Sequence, residues 1–194
     1  MKLVQRLPHA IGSLALVGGV VLGGAGTGAA ATHTVGHGAA GHSASAAKAE
    51  IPAALQVPEG NKRVAELSAK GVQVYTCANG GWTLLEPAAT LWRKGDLKQK
   101  TIALHSRGPV WVSTVDGSAV NAAAVANSPR TGTIPELLLK ATANRGDGVF
   151  GKVSYIQRLE TGGGVAPAGT CTDADQVSVP YTATYAFYAP TTAG

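Results

Sequence analysis

Charge is scarce in this sequence. Asp, Glu, Lys and Arg make up 14% of its 194 residues, aromatics only 5%, and cysteine occurs twice. So few charges exclude the salt-bridge-laced surface of a coiled coil. Two cysteines exclude a disulfide-dense miniprotein. At 19.5 kDa there is room for one ordinary domain and an appendage, not for a multidomain enzyme. A polytopic membrane protein is excluded as well, because only residues 11–22 form a long apolar run. Several catalytic and cofactor signatures are missing. No strand leads into a G-x-G-x-x-G turn and helix, no G-x-S-x-G elbow occurs, and H-E-x-x-H is absent.

What is present begins with an export pattern. Lys2 and Arg6 form a short basic region, and the apolar run 11–22 is broken only by Gly12, Ser13, Gly18 and Gly19. Ala29-Ala30-Ala31 then offers an A-x-A cleavage site. This order predicts a cleaved signal peptide over residues 1–31, and hence a secreted, extracellular protein with no membrane attachment after cleavage. Residues 32–50 are dominated by Ala, Gly, Ser, Thr and His, with Val35 their one larger apolar side chain before the end of the stretch. Such a segment cannot offset its ordering entropy by burial, so it reads as a flexible linker. Its histidines, His33, His37 and His42, sit among glycines that oppose a common helical face, and no metal site is expected there.

The formal net charge of +5 falls to +3 once Lys2 and Arg6 leave, with 14 basic against 11 acidic residues. The basic residues are scattered rather than arranged in a phosphate-tracking stripe, so no nucleic-acid partner is expected.

All ten aromatic residues lie between Tyr75 and Tyr188, within a single domain placed at residues 51–190. Gly71–Cys77 alternates and is β-branched, Asn79-Gly80-Gly81 is a hairpin turn, and Trp82–Leu85 reads as the partner strand. Glu86-Pro87 is read as a break. Segments 101–105 and 110–115 are strands around the turn Arg107-Gly108-Pro109, and Asp116-Gly117 is another tight turn. Residues 121–133 read as loop. Residues 134–141 are the helix candidate, with Thr133 as cap and Pro135 early. Segment 149–159 reads as a long strand. Residues 176–189 give the cleanest alternation, with Val177, Val179, Tyr181, Ala183, Tyr185 and Phe187 on one face. The fold class is therefore mainly β: an antiparallel β-sandwich or barrel-like domain with one short helix.

Cys77 and Cys171, an even pair in an exported chain, are expected to form a disulfide. Candidate chemistry centres on His105, the only histidine of the domain, which ends a strand beside the turn at 107–109. With Asp116 to orient it and Ser106 or Ser118 as nucleophile, it is a candidate general base. One histidine without further Cys or His ligands makes no metal centre, and no cofactor is expected. Glu86, Asp147, Arg145 and Arg158 read as strand-end ion pairs. Trp82, Trp92, Trp111, Tyr181 and Tyr185 fill a core or cross-strand pairs, or line a groove.

A longer succession of residues carries a resemblance. It runs through 71–77, Trp82, 86–88, His105, Gly108-Pro109, Trp111, 116–118, Ile134-Pro135, Leu137-Leu138, 155–158, 161–163, Cys171 and 181–188. This order resembles the secreted bacterial and fungal family called domain of unknown function 3455. Ser106 and Glu136 stand where that family's pattern leads one to expect aromatics. The resemblance implies no established reaction.

The sequence thus points to a non-enzymatic extracellular or cell-envelope binding module. The expected partner is a polysaccharide or a small ligand, held in a groove near His105, Trp111 and Asp116. The alternative is an extracellular hydrolase using His105 with nearby carboxylates.

Overall fold

The computed structural model describes residues 50–191. The expected signal peptide and almost all of the expected linker lie outside the described residues. Eight strands follow in order: β1 (Asn61–Ala78), β2 (Gly81–Arg93), β3 (Ala103–Ser106), β4 (Val110–Ser113), β5 (Ala119–Ser128), β6 (Glu136–Arg145), β7 (Tyr155–Gly163) and β8 (Gln176–Pro190). Each pairs antiparallel with the next, and β1 pairs with β8, so the sheet closes into a barrel. Closure removes the exposed sheet edges that an open sheet would carry, and eight strands enclose just enough space for side chains or one small ligand.

Alternation explains the lining. On β1 the buried residues Leu67, Ala69, Gln73, Tyr75 and Cys77 share one parity. Tyr181, Ala183, Tyr185 and Phe187 share another on β8 and face the core, as the pattern predicts. Asn79 and Gly80 both have positive φ, 54° and 73°, which gives the β1–β2 hairpin a turn whose twist matches its strands. Gly71 serves a different need. A Cβ there would collide with the Ala88 carbonyl and with Ala89 on the neighbouring strand.

Several expectations need correction. Residues 134–141 are not a helix: Ile134 and Pro135 lead into strand β6. The only helical element among the described residues is a 3-10 turn at Ala53–Leu55. Leu137, Leu138 and Leu139 look helical because they are consecutive, but both faces of this strand are covered. Leu139 joins the barrel core, while the 3-10 turn packs against β5 and β6 from outside. Tertiary burial outweighs local propensity here. Residues 119–128 form a strand rather than a loop, and its alanines read as loop because alanine has weak β propensity. Pro87 does not break β2. Only Ala89–Leu91 of β2 pairs with β3, so Pro87 lies on a stretch whose other edge is free, where a missing N–H costs little. A bulge between Val74 and Tyr75 of the β1–β2 ladder absorbs one extra residue at Leu85.

The two ends of the barrel differ. At the end that holds the turn 114–118, the segment 146–154 folds inward and Phe150 is fully buried against Phe187, their ring centroids 4.7 Å apart. At the other end, Cys77 is joined to Cys171 across 94 residues of sequence, with Cα atoms 5.8 Å apart. Backbone bonds Cys77 N–Asp175 O and Ala174 N–Cys77 O tie the following loop to the tip of the β1–β2 hairpin.

Candidate functional site

The β3–β4 hairpin is short. It stops at residues 107–109, whereas β2 and β5 run on past it. Above Ala89 and beyond Asn121 these long strands therefore have no ladder partner on that side. The resulting notch opens onto a cavity of about 730 Å³ inside the barrel. That volume falls within the range of small-molecule sites.

Its walls come from several strands. Leu84, Leu85 and Pro87 of β2, Ala122 and Ala124 of β5, and Leu137 and Leu139 of β6 give an apolar lining. The small side chains of β5 leave the space that larger residues would fill. Glu86 and Arg107 also line the cavity, Arg107 from the β3–β4 turn at its mouth. Deeper in, Gln73, His105, Trp111, Arg158 and Tyr185 supply the polar groups.

Strand register brings His105 and Trp111 together, because they are direct partners across the β3–β4 ladder. Their rings stack with centroids 4.1 Å apart and planes 7° from parallel, and Tyr185 meets both edge-on at 5.4 Å. His105 Nδ1 lies 2.9 Å from the Val110 carbonyl. Because that carbonyl can only accept, Nδ1 carries the proton in the neutral ring and Nε2 keeps its lone pair. Burial holds the imidazole pKa down to about 4, with the positive charge of Arg158 acting in the same direction and the Val110 bond against it. His105 is therefore neutral at pH 7.

Asp116 is not brought to this pair. It lies in the turn beyond the opposite end of β4, and its carboxylate accepts from Ser118 N and Oγ and from Val149 N. Those bonds, led by the Ser118 hydroxyl, hold its pKa well below the usual carboxylate range. Ser118 is fully buried and its Oγ also accepts from Phe150 N, so Asp116 and Ser118 fasten the inward-folded segment of the closed end. Ser106 is adjacent to inward-facing His105 and so points to the outer, exposed face. The geometry thus assembles no Ser-His-Asp relay from these residues.

Two residues missed as site candidates carry the most information. Gln73 is 1% exposed, yet neither its amide oxygen nor its amide nitrogen has a hydrogen-bond partner among the described residues. The Trp111 indole N–H is in the same position. Buried polar groups are nearly always paired, and each exception needs a reason. Arg158 is not in a strand-end ion pair as its sequence context suggests. It sits opposite Tyr185 in the β7–β8 ladder, and its Nε and Nη2 donate to the Pro135 carbonyl at 3.2 and 2.9 Å. Parity was the available signal for Gln73, which is two residues from Tyr75 and four from Cys77 on one strand. Arg158 had a weaker signal, a lone cation in an otherwise half-apolar strand.

Burial raises the hydroxyl pKa values of Tyr185 and Tyr181, the latter also by the Tyr185 hydroxyl 3.4 Å away. Both stay protonated at neutral pH. Among the described residues no cluster of His, Cys, Asp and Glu is arranged to hold a metal ion.

No curated protein and no solved structure matches this chain. A family model does match, over residues 58–189, which cover the barrel but for the last residue of β8. The chain belongs to the family described as protein of unknown function (DUF3455).

Proposed function

We propose that this protein is an exported binding protein whose barrel takes up one small organic molecule through the notch above the β3–β4 hairpin. The observation that carries this reading is the unpartnered amide of Gln73, buried in the wall of a cavity of about 730 Å³. Leaving buried donors and acceptors unmade costs roughly 1–3 kcal/mol per group, a cost that a ligand offsets when it supplies the partners. The Trp111 N–H and the free lone pair of His105 Nε2 add a donor and an acceptor in the same chamber. The apolar walls supply area for burial at about 25 cal/mol per Å². Export is supported by the basic–apolar–small order of residues 1–31 and by the Cys77–Cys171 disulfide, a bond that persists in oxidising compartments. A small molecule with an apolar body fits a chamber lined mainly by apolar side chains better than a polysaccharide, whose many hydroxyls need polar partners along its length.

Titration with Nile red, a neutral dye that brightens in apolar surroundings, tests the cavity. Saturable binding is expected, and Leu137→Trp, which fills the chamber, is expected to abolish it while circular dichroism stays unchanged. Absence of saturable binding, or a dye site indifferent to Leu137→Trp, overturns the reading.

A further inference from the structure

Arg158 stands out because of what surrounds it. The salt bridges among the described residues join Arg63 and Lys94 to Glu66, Lys94 to Glu160 and Arg130 to Glu136; none includes Arg158. Yet Arg158 is the cation set among inward-facing residues, and it lines the cavity. The groups that feel its charge are the hydroxyls of Tyr75, Tyr181 and Tyr185 and the ring of His105, all neutral at pH 7. Arg158 is half-buried, and even a partly desolvated cation without a counter-ion is costly, so proteins tend to pair such groups. Glu86 and Arg107, the other charged residues of the lining, are opposite in sign, and neither is in an ion pair with Arg158.

Resting on the binding reading above, we propose that the ligand is a monocarboxylic acid with an apolar body, its carboxylate paired with Arg158. A guanidinium has five N–H donors in a planar fork. Here Nε and Nη2 share a single carbonyl, that of Pro135, which fixes the plane of the group; the Tyr185 hydroxyl also lies within reach of the guanidinium, and donor capacity remains beyond these two neutral partners. That edge matches a carboxylate, which takes two parallel N–H bonds. The unpartnered donors of Gln73 and Trp111 lie in the same lining and add to an environment rich in donors. A single inward cation balances a single negative charge, so a dianionic phosphate ester is disfavoured. The leucines and Pro87 toward the mouth then enclose the apolar body.

Decanoic acid and decanol share one apolar chain and differ in charge, so displacement of Nile red by each isolates the role of Arg158. On the oxidised full-length chain at neutral pH, the acid is expected to displace the dye at least about tenfold more tightly than the alcohol, the size of one charge-assisted fork. Arg158→Gln is expected to bring the acid-to-alcohol ratio to about one, and Arg158→Lys to restore part of it. Equal displacement by acid and alcohol on the unsubstituted protein overturns this assignment while the cavity reading stands. Dye that binds but yields to neither compound also overturns the assignment alone. Failure of the dye to bind overturns both. Because the acid-to-alcohol ratio is measured first on the unsubstituted chain, the result does not depend on whether an Arg158 variant folds.

Discussion

The two ends of this barrel solve opposite problems. At the closed end every buried side-chain nitrogen and oxygen of the described residues has a partner. Asp116 accepts from Ser118 and Val149, Ser118 accepts from Phe150, and Asn144 Nδ2 donates to the carbonyls of Phe150 and Val153. Phe150 itself fills the interior. In the chamber below the notch, the amide of Gln73 and the indole N–H of Trp111 go without partners, and alanines stand where core residues would be larger. The same sheet is thus finished at one end and unfinished at the other. Satisfaction at one end stabilises the fold, and the lack of it at the other leaves room and hydrogen-bonding capacity for something else.

The largest effect that separates the two ends is expected from truncation. Phe150→Ala empties a fully buried site packed on Phe187 and is expected to cost about 3–5 kcal/mol in urea unfolding. Leu84→Ala at the mouth, where the side chain is 50% exposed, is expected to cost no more than about 0.5 kcal/mol. Similar losses at the two positions would mean that the ends are not energetically distinct.

Acid offers a second, smaller contrast, because each end holds one perturbed group. His105 has a folded pKa of about 4, below its ordinary value of 6.5, so the folded state resists protonation that the unfolded chain accepts. Its contribution is complete above pH 6.5, falls as pH drops from about 6.5 to about 4, and changes no further below that. The loss is on the order of 3 kcal/mol across that window. Trp111 and Tyr185 pack against the ring, Tyr185 stays neutral through this window, and Arg158 adds a nearby positive charge. Asp116 is also depressed, by its hydrogen bonds, but as a carboxylate it contributes only once ionised. Its contribution is present above its ordinary value of 3.8 and is lost as pH falls below that. Unfolding free energy measured against pH is therefore expected to fall in two separate stages. His105→Phe is expected to remove the upper stage and Asp116→Asn the lower. A single stage, or an upper stage that survives His105→Phe, would show that the two ends are not protonated independently.

Legibility in the sequence follows the same division. Strands with clean alternation, such as Gly71–Cys77 and residues 176–189, were readable because large side chains recur on the inward face, even though Thr184 and Ala186 on the outer face of β8 are buried as well. The disulfide was readable from two cysteines behind an export pattern. β6 was not, since its leucines are covered on both faces and lose their period. β5 was not, since the alanines that make the chamber are weak strand formers. Part of the candidate site's lining was readable too. A lone domain histidine and a nearby tryptophan drew attention to His105 and Trp111, and their pairing needed only the β3–β4 hairpin. Asp116 drew attention for its position in a turn, but a four-residue strand separates it from His105, and nearness in sequence gave a false impression of nearness in space. Gln73 and Arg158 stayed hidden because a polar residue within an alternating strand is ordinarily assigned to the solvent face. For Gln73 the shared parity with Tyr75 and Cys77 pointed inward, and for Arg158 the shared parity with Ile156 did.

The smallest expected change has the opposite sign. Gln73→Met keeps an unbranched side chain of similar length and removes two buried polar atoms that the described residues leave unbonded. Replacing unsatisfied polar atoms by apolar ones of similar shape is neutral or favourable, so this variant is expected to gain about 1 kcal/mol in urea unfolding. It is also expected to bind decanoic acid more weakly, because a donor in the chamber has gone. A residue that lowers stability where it stands while strengthening ligand binding is the signature of a site held for function rather than for folding. Were Gln73→Met to lose stability instead, the amide would be contributing to the free protein, and the chamber would belong with the satisfied end of the barrel.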